Sequence, residues 1–449
     1  MIGLTLREIA AATGGEAHGD HDIVVTGAAS VDSRVVGQGG LFVAIAGEHA
    51  DGHDFVPQAV AAGAAAVLAT RAVDAPCVVV DDPTAALGKV ARAVIDRRDG
   101  VCVIGITGSQ GKTSAKDILA QVLATVGPTI ASAASFNNEL GVPLTVLRVE
   151  ESTKFLVVEM GARGIGHIAK LCEIVPPDVA VVLNVGVAHI GEFGSAENIA
   201  IGKGELVAAL TDAGTAVLNA DDARVMSMTA RTRAHIVTFG KTGDLGLSGL
   251  RLDENGKPHF TLTFGDESVE TSVPRLGAHQ ADNAAAAAAV CVAVGMSLAD
   301  VGSALESATD QSPMRMAKTV RSDGVVVIND AYNANPDSMA AALRGLVAVG
   351  GAGHTYAVLG EMLELGPASA GAYRAIGELA AKLDIFCVVA VGEGAAGIAD
   401  AAGSRAHRVA DVEGAVAFLT ERLQPPDVVM VKASRGCRLE RVADALLDR

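Results

Sequence analysis

The sequence predicts an α/β protein of three domains, and three observations carry that expectation. The chain has 449 residues, which at roughly 100 to 200 residues per domain makes room for two to four. Half of it is hydrophobic, yet only 3% is aromatic and there is no Trp. Its cores must therefore be built from Ala, Val, Leu and Ile, as suits parallel sheets covered by helices. Uniformly apolar runs also recur between Ala-rich stretches, in two separate series.

The first unit, 1–98, is the smallest. It holds the turn-rich GGEAHGDHD (14–22) and an Ala-rich stretch expected to be helical near 57–70. The charged segment 96–100 separates it from VCVIGIT (101–107), FLVVEM (155–160), VAVVLNV (179–185) and TAVLNA (215–220). Such strands, apolar on both faces and separated by helices, describe a mostly parallel sheet. HFTLTF (259–264) alternates instead, which marks a small antiparallel excursion over 240–275. Asn283 to Ala299 is uncharged and reads as a buried Ala-rich helix. It falls short of the roughly 20 strongly apolar residues a membrane span needs. After the linker TDQSP (309–313), the pattern restarts with VVVIND (325–330), TYAVLG (355–360), IFCVVAVG (385–392) and DVVMVKAS (427–434). That is a second doubly wound, Rossmann-like unit. The expected domains are 1–98, 99–311 and 312–449.

Composition limits the function. Lys plus Arg number 35 against 52 acidic residues, a net charge of −17, and no basic run offsets it. That balance argues against nonspecific binding to nucleic acid or to an anionic membrane. The six cysteines have no CxxC or Cys/His metal spacing, as in a reduced cytosolic protein. The N-terminus shows no signal-peptide pattern. A cytoplasmic monomer without a membrane span is expected.

The chemistry begins after the first strong strand. The run Gly105-Ile-Thr-Gly-Ser-Gln-Gly-Lys-Thr113 leads into a helix expected from about Ser114. Glycines let successive N–H groups face a phosphate, the helix dipole adds positive potential, a Lys meets the β/γ-phosphates and a Thr hydroxyl can bind Mg²⁺. Thr107, Gly108, Ser109, Gln110, Gly111, Lys112, Thr113 and Ser114 are thus candidate ATP contacts, and the central unit is P-loop-type. The common pattern wants Gly at 106, where Ile stands, so the loop is a variant. Glu159 ends a strand at the edge where ligands bind, and is a candidate Mg²⁺ ligand. The next strand brings Asn184 and His189 to the same edge. Lys203 lies on a helix expected over 197–206, where a Lys is ordinarily solvated.

Taken together, GITGSQGKT, SFNNELGVP (135–143), EMGA (159–162), NVGVAH (184–189), the Lys203 segment, LNADD (218–222) and LGAHQADNAAAA (276–287) resemble, in order, the motifs of the Mur ligase family, ATP-dependent amide-forming enzymes of peptidoglycan precursor synthesis. VDSRVVGQGGLFVAIAGEHADGHDF (31–55) resembles a UDP-sugar-binding domain of that family. NDAYNANPDSMAAAL (329–343) and GEMLELG (360–366) look like the member that adds D-alanyl-D-alanine. Ser135, Arg163 and His167 stand where relatives often have Asn, Asn and Glu.

The resemblance implies that ATP and Mg²⁺ serve an acyl-phosphate reaction joining D-alanyl-D-alanine to UDP-N-acetylmuramoyl-tripeptide. It implies Lys112, Lys203, His189 and Glu159 as catalytic. Thr113, Glu159, His189 and a carbamylated Lys203 would be metal ligands. Asn283, Arg315 and Asp330 would complete the ATP site, with His279 a further candidate. Ser33, Arg34, Asn137 and Asn138 would bind the UDP-linked substrate, Tyr332, Asn333 and Asn335 the dipeptide, and Ser434 and Arg435 its carboxylate. A helix cap accounts equally for Asn335. The rivals are another ligase of the superfamily and a nucleotide-binding scaffold without ligase chemistry. The intact Lys112, Thr113, Glu159, His189, Lys203 and Asp330 argue against the scaffold.

Overall fold

A computed structural model describes residues 1–97, 100–186, 190–363, 365–366 and 369–448. The expected boundary at 98/99 therefore lies outside the described residues, as does His189. The N-terminal part builds a five-stranded sheet in the order Glu16–His18, Cys77–Val79, Ala64–Ala69, Gly40–Val43, Ala29–Ser30. It is parallel except for its first strand. Helix α1 (Pro83–Asp96) closes the unit, capped by Asp82, which accepts from the Thr84 and Ala85 amides.

The expected helix over 57–70 is corrected here. Only Val56–Ala61 is helical, and Ala64–Ala69 is a buried parallel strand. Gly63, at φ +110°, ends the helix, and the following alanines then satisfy their backbone in the sheet. The turn-rich 14–22 likewise contains the edge strand Glu16–His18.

The central sheet is built on β1 (Cys102–Thr107), α2 (Lys112–Ala124), β2 (Phe155–Glu159), α3 (His167–Ile174), β3 (Val179–Val182), α4 (Ala196–Ala208) and β4 (Thr215–Asn219). Its nine strands run Glu267–Ser272, Pro258–Phe264, Leu245–Leu252, His235–Gly240, β4, β3, β1, β2, Thr129–Ala131. The last three strands in sequence pair antiparallel, which is the expected excursion. His235–Gly240 precedes them as one more parallel strand. The Ala-rich helix, α5, spans His279–Ala293. It begins a turn before Asn283 and stops before Gly295, at φ +95°. Ser297 then caps a separate helix, Leu298–Glu306. Small buried side chains from Ala284 to Ala289 bring α5 directly onto α2 and the sheet.

The C-terminal sheet contains β5 (Val326–Asn329) and β6 (Val428–Lys432), in the order Ala317–Val320, β5, β6, Thr355–Leu359, Cys387–Val391, Ala406–Val409. All but its first strand are parallel. Helix α6 (Pro336–Val349) follows β5. The second doubly wound unit is thus present. Apolar side chains of the N-terminal unit and one face of the central sheet form one continuous core. The C-terminal sheet has cores of its own, which Leu276 joins from the central unit. Among the described residues no helix is long and apolar enough to cross a membrane.

Candidate active site

The carboxyl ends of β1, β2, β5 and β6 open onto one cleft of about 1380 Å³, walled by all three parts of the chain. Of the glycine-rich run, Ser109 to Ser114 line it, whereas Thr107 and Gly108 do not. Gly111 sits at φ +82°, and a Cβ there would lie 2.4 Å from Asn283 Oδ1. No other residue fits that turn without strain. The α2 N-terminus carries no side-chain cap, so its first N–H groups remain free to meet an anion. Lys112 donates to the Gly108 carbonyl at 2.8 Å. Burial lowers the pKa of its ammonium, Glu159 opposes that and Arg315 adds to it.

Thr113 Oγ1 donates to Glu159 Oε2 at 2.9 Å, and Asn137 Nδ2 donates to Glu159 Oε1 at 2.8 Å. Glu159 itself is 1% exposed, a buried carboxylate held by neutral donors. No group of three or more His, Cys, Asp or Glu among the described residues surrounds a common point. The carboxylate and hydroxyl pair is nonetheless the hard-oxygen set that Mg²⁺ takes when phosphates and water supply its other ligands.

Lys203 is 3% exposed and lines the same cleft. No hydrogen bond or ion pair ties its nitrogen to another described residue. Burial, then the neighbouring Lys112, push its pKa well below the ordinary value. It is held toward the neutral amine, the form that reacts with electrophiles.

The C-terminal part reaches in through Arg315. Its Nη2 donates to Thr113 Oγ1 at 3.2 Å and to Ser135 Oγ at 3.3 Å, and its guanidinium stacks 4.2 Å from the centre of the Tyr332 ring. Met314 and Met316, on either side, both adopt left-handed φ values, 57° and 56°. Asp330 accepts from Lys432 Nζ at 2.6 Å and from the Met316 amide at 3.1 Å. His279 faces this pair from the central unit. Burial lowers its pKa to about 4, with Asp330 opposing and Lys432 reinforcing the shift.

The structure gathers Ser109 to Thr113, Ser114, Asn137, Asn138, Glu159, Lys203, Asn283, Arg315, Asp330, Tyr332, Asn333 and Asn335 on the cleft, with Ser434 and Arg435 at its C-terminal wall. Asn138 also closes a local turn by accepting from Gly141 N. Asn335 caps α6 in a reciprocal pair with Ser338, so the structural account of that residue holds whatever it binds. Ser33 and Arg34 are not in the cleft. Ser33 donates to Gln58 at 2.7 Å, and the exposed Arg34 pairs with Asp32. Sequence reasoning missed Lys432, although a lone charge ending a uniformly apolar strand is the signal that marks Glu159.

Comparison with known proteins gives three adjoining family matches: Mur ligase family, catalytic domain, over 28–101; Mur ligase middle domain over 106–291; and Mur ligase, glutamate ligase domain, over 314–435. A UDP-N-acetylmuramoyl-tripeptide–D-alanyl-D-alanine ligase of Mycobacterium tuberculosis is 44% identical, covering 100% of this chain and 98% of the relative. A protein of the same name from Escherichia coli is 33% identical, covering 100% and 99%. Among solved structures, MurF from Acinetobacter baumannii superposes with a TM-score of 0.90 at 30% identity, covering 100% of this chain and 99% of that one. MurF ligase from Thermotoga maritima in complex with ADP does so with a TM-score of 0.81 at 30% identity, covering 94% and 98%.

Proposed function

The chain belongs to the Mur ligase family, and we propose that it joins D-alanyl-D-alanine to UDP-N-acetylmuramoyl-tripeptide at the expense of ATP, releasing ADP and phosphate, in the cytoplasm and as a monomer. Its parts divide at 98/99 and 311/312 into a UDP-substrate domain, an ATPase domain and a closing ligase domain.

A carboxylate is a poor electrophile and oxide a poor leaving group. The terminal carboxylate of the tripeptide therefore attacks the γ-phosphorus of ATP, breaking its bond to the β-phosphate bridging oxygen and forming an acyl phosphate with ADP. The dipeptide amine, once it has lost its proton, adds to the acyl carbon. The tetrahedral intermediate then loses the second proton from its nitrogen and expels phosphate as the amide forms. The protein's task is to bring three anionic groups together and to stabilise the charge that develops.

The observation that supports this most is the meeting, on one cleft, of Lys112, Thr113, Glu159 and Lys203 from the central part with Arg315, Asp330 and Lys432 from the C-terminal part. Lys112 and the α2 amides hold the β/γ-phosphates, and Arg315 neutralises charge from the other side. Thr113 and Glu159 would hold Mg²⁺, which when bound screens the phosphate charge. His189 and Lys203 as a carbamate are proposed as further ligands. The neutral amine, the form that burial favours at Lys203, would add to CO₂ through its nitrogen and release one proton, giving an anionic oxygen donor in place of an amine. Asn137 and Asn138 face the acyl end of the peptide, and Tyr332, Asn333 and Asn335 face the dipeptide. Ser33 and Arg34 are assigned to the UDP end, which in so long a substrate lies away from the reacting carboxylate.

The test is phosphate release with UDP-N-acetylmuramoyl-tripeptide and ATP, with D-alanyl-D-alanine set against free amino acids. Release that depends on D-alanyl-D-alanine is expected. Release driven equally by a single amino acid would move the chain to another branch of the family.

A further inference from the structure

Asn184 follows β3 and crosses to the glycine-rich loop. Its Oδ1 accepts from Ser109 N at 3.0 Å and from Gln110 N at 3.0 Å, and its Nδ2 donates to Gln110 O at 3.2 Å. Its main-chain carbonyl also accepts from Ser109 N at 3.1 Å. Two residues on, Gly186 N donates to Ser109 Oγ at 2.9 Å. This continues the β1–β3 ladder, since Leu183 N donates to Thr107 O at 3.0 Å. The loop is thus strapped to the end of the neighbouring strand. A Cβ on Gly108 would lie 3.0 Å from Leu183 Cβ and 3.5 Å from Asn184 N, so the loop passes close to that strand end at 108 and leaves little room for a side chain there.

In an ordinary phosphate-binding loop the amides at these positions turn toward the phosphates. Here two of them are already taken by a carboxamide with both ends engaged. We propose that Asn184 is a positioning residue of the nucleotide site, which fixes the loop in advance and leaves the phosphates to the N–H groups from Gly111 to Ser114 and to Lys112. The role rests on the nucleotide assignment made above. An alternative in which the carboxamide merely occupies a phosphate's place predicts the opposite response to its removal.

Hydrogen exchange of the unaltered protein decides without any substitution. The Ser109 and Gln110 amides should be protected without nucleotide and stay equally protected with Mg·ADP, while amides at the start of α2 gain protection. Rapid exchange at 109 and 110 that slows only when Mg·ADP binds would overturn the proposal. Asn184→Ala gives the second arm. It should weaken Mg·ADP binding and raise the KM for ATP about tenfold or more, with little change in kcat or in affinity for the UDP-linked tripeptide. Asn184→Asp keeps the acceptor for both amides but places an anion beside the phosphates, so it should retain amide protection while binding Mg·ADP less tightly than the parent. Nucleotide binding by Asn184→Ala as tight as, or tighter than, the parent's would also overturn it. Failure of the unaltered protein to bind any nucleotide would remove the site itself, a result distinct from tight binding with unprotected amides.

Discussion

Lys203 shows how a buried side chain acquires a chemical role. An ammonium at 3% exposure, with no counter-charge paired to it among the described residues, is costly, and Lys112 nearby raises the cost further. Both favour the neutral amine, and carbamylation turns that amine into an anion that Lys112 attracts. Lys203→Ala should therefore lower kcat by about 10²- to 10³-fold, the order seen when a charge-stabilising group is removed. Millimolar formate or acetate should restore part of it, and a mutant active without rescue would sink the carbamate. His279 is the converse, a base kept neutral. Its pKa is about 4 in the folded protein and near 6.5 unfolded. Between those values the unfolded chain binds more protons, so stability falls as pH drops through this window and levels off below it. Melting temperature against pH should show that slope, and His279→Gln should flatten it. Glu159 is legible in the sequence because a charge ending an apolar strand emerges at the sheet's ligand edge, whereas Asp330, which follows β5 in the same way, is reached through the family resemblance. Arg315 is legible only through family resemblance. Its contact with Thr113 depends on two left-handed methionines and on how two units meet, neither of which leaves a local pattern.

At the scale of elements, the parallel strands are legible because both faces are covered and their runs are continuously apolar. The alanine stretch at 64–69 is not, since alanine suits a helix by propensity and a crowded central strand by size. Tertiary burial decides between them. Glycines set the close contacts between elements. In the helix Ser369–Lys382, a Cβ on Gly377 would fall 2.2 Å from the Ile398 carbonyl oxygen and 2.7 Å from Ala401 Cβ, both on or beside the helix Ala396–Ala402. Backbone cannot swing aside as a side chain does. Gly377→Ala should cost about 1–3 kcal/mol by overpacking, read from denaturant midpoints, with KM for ATP unchanged at a temperature where the variant is folded. Gly111→Ala should do the reverse, raising KM for ATP severalfold through its positive φ and the Asn283 contact while leaving the C-terminal unit's stability alone.

Across the whole molecule, a net charge of −17 opposes substrates that bring phosphates and carboxylates. Attraction must then come from local cations and helix N-termini rather than the overall field, and several of these cations lie on different units. Their meeting depends on the linker. Thr309 is tied to the central unit through Gln121 and Arg275, so the pivot falls between Asp310 and the strand at Ala317–Val320. Arg315 lies inside that segment and bridges it to Thr113 and Ser135. Beyond it, the contacts between the units among the described residues are small ones: Lys318 with Asn255, Leu276 against Met316 and Gly345, and the close approaches of Gly186 to Asp337, Gly256 to Val349 and Gly191 to Gly366. Interfaces this sparse allow the units to separate. Without ligands the solution ensemble should therefore be wider than the roughly 22 Å radius of gyration of a compact chain this long. Mg²⁺ with an ATP analogue and the tripeptide substrate should contract it. Arg315→Ala should widen the ligand-free form further and blunt the contraction, because it removes the bridge but not the hinge. Small-angle scattering of both proteins reads this directly, and a radius of the unaltered protein that ligands leave unchanged would show that the units do not close on their substrates.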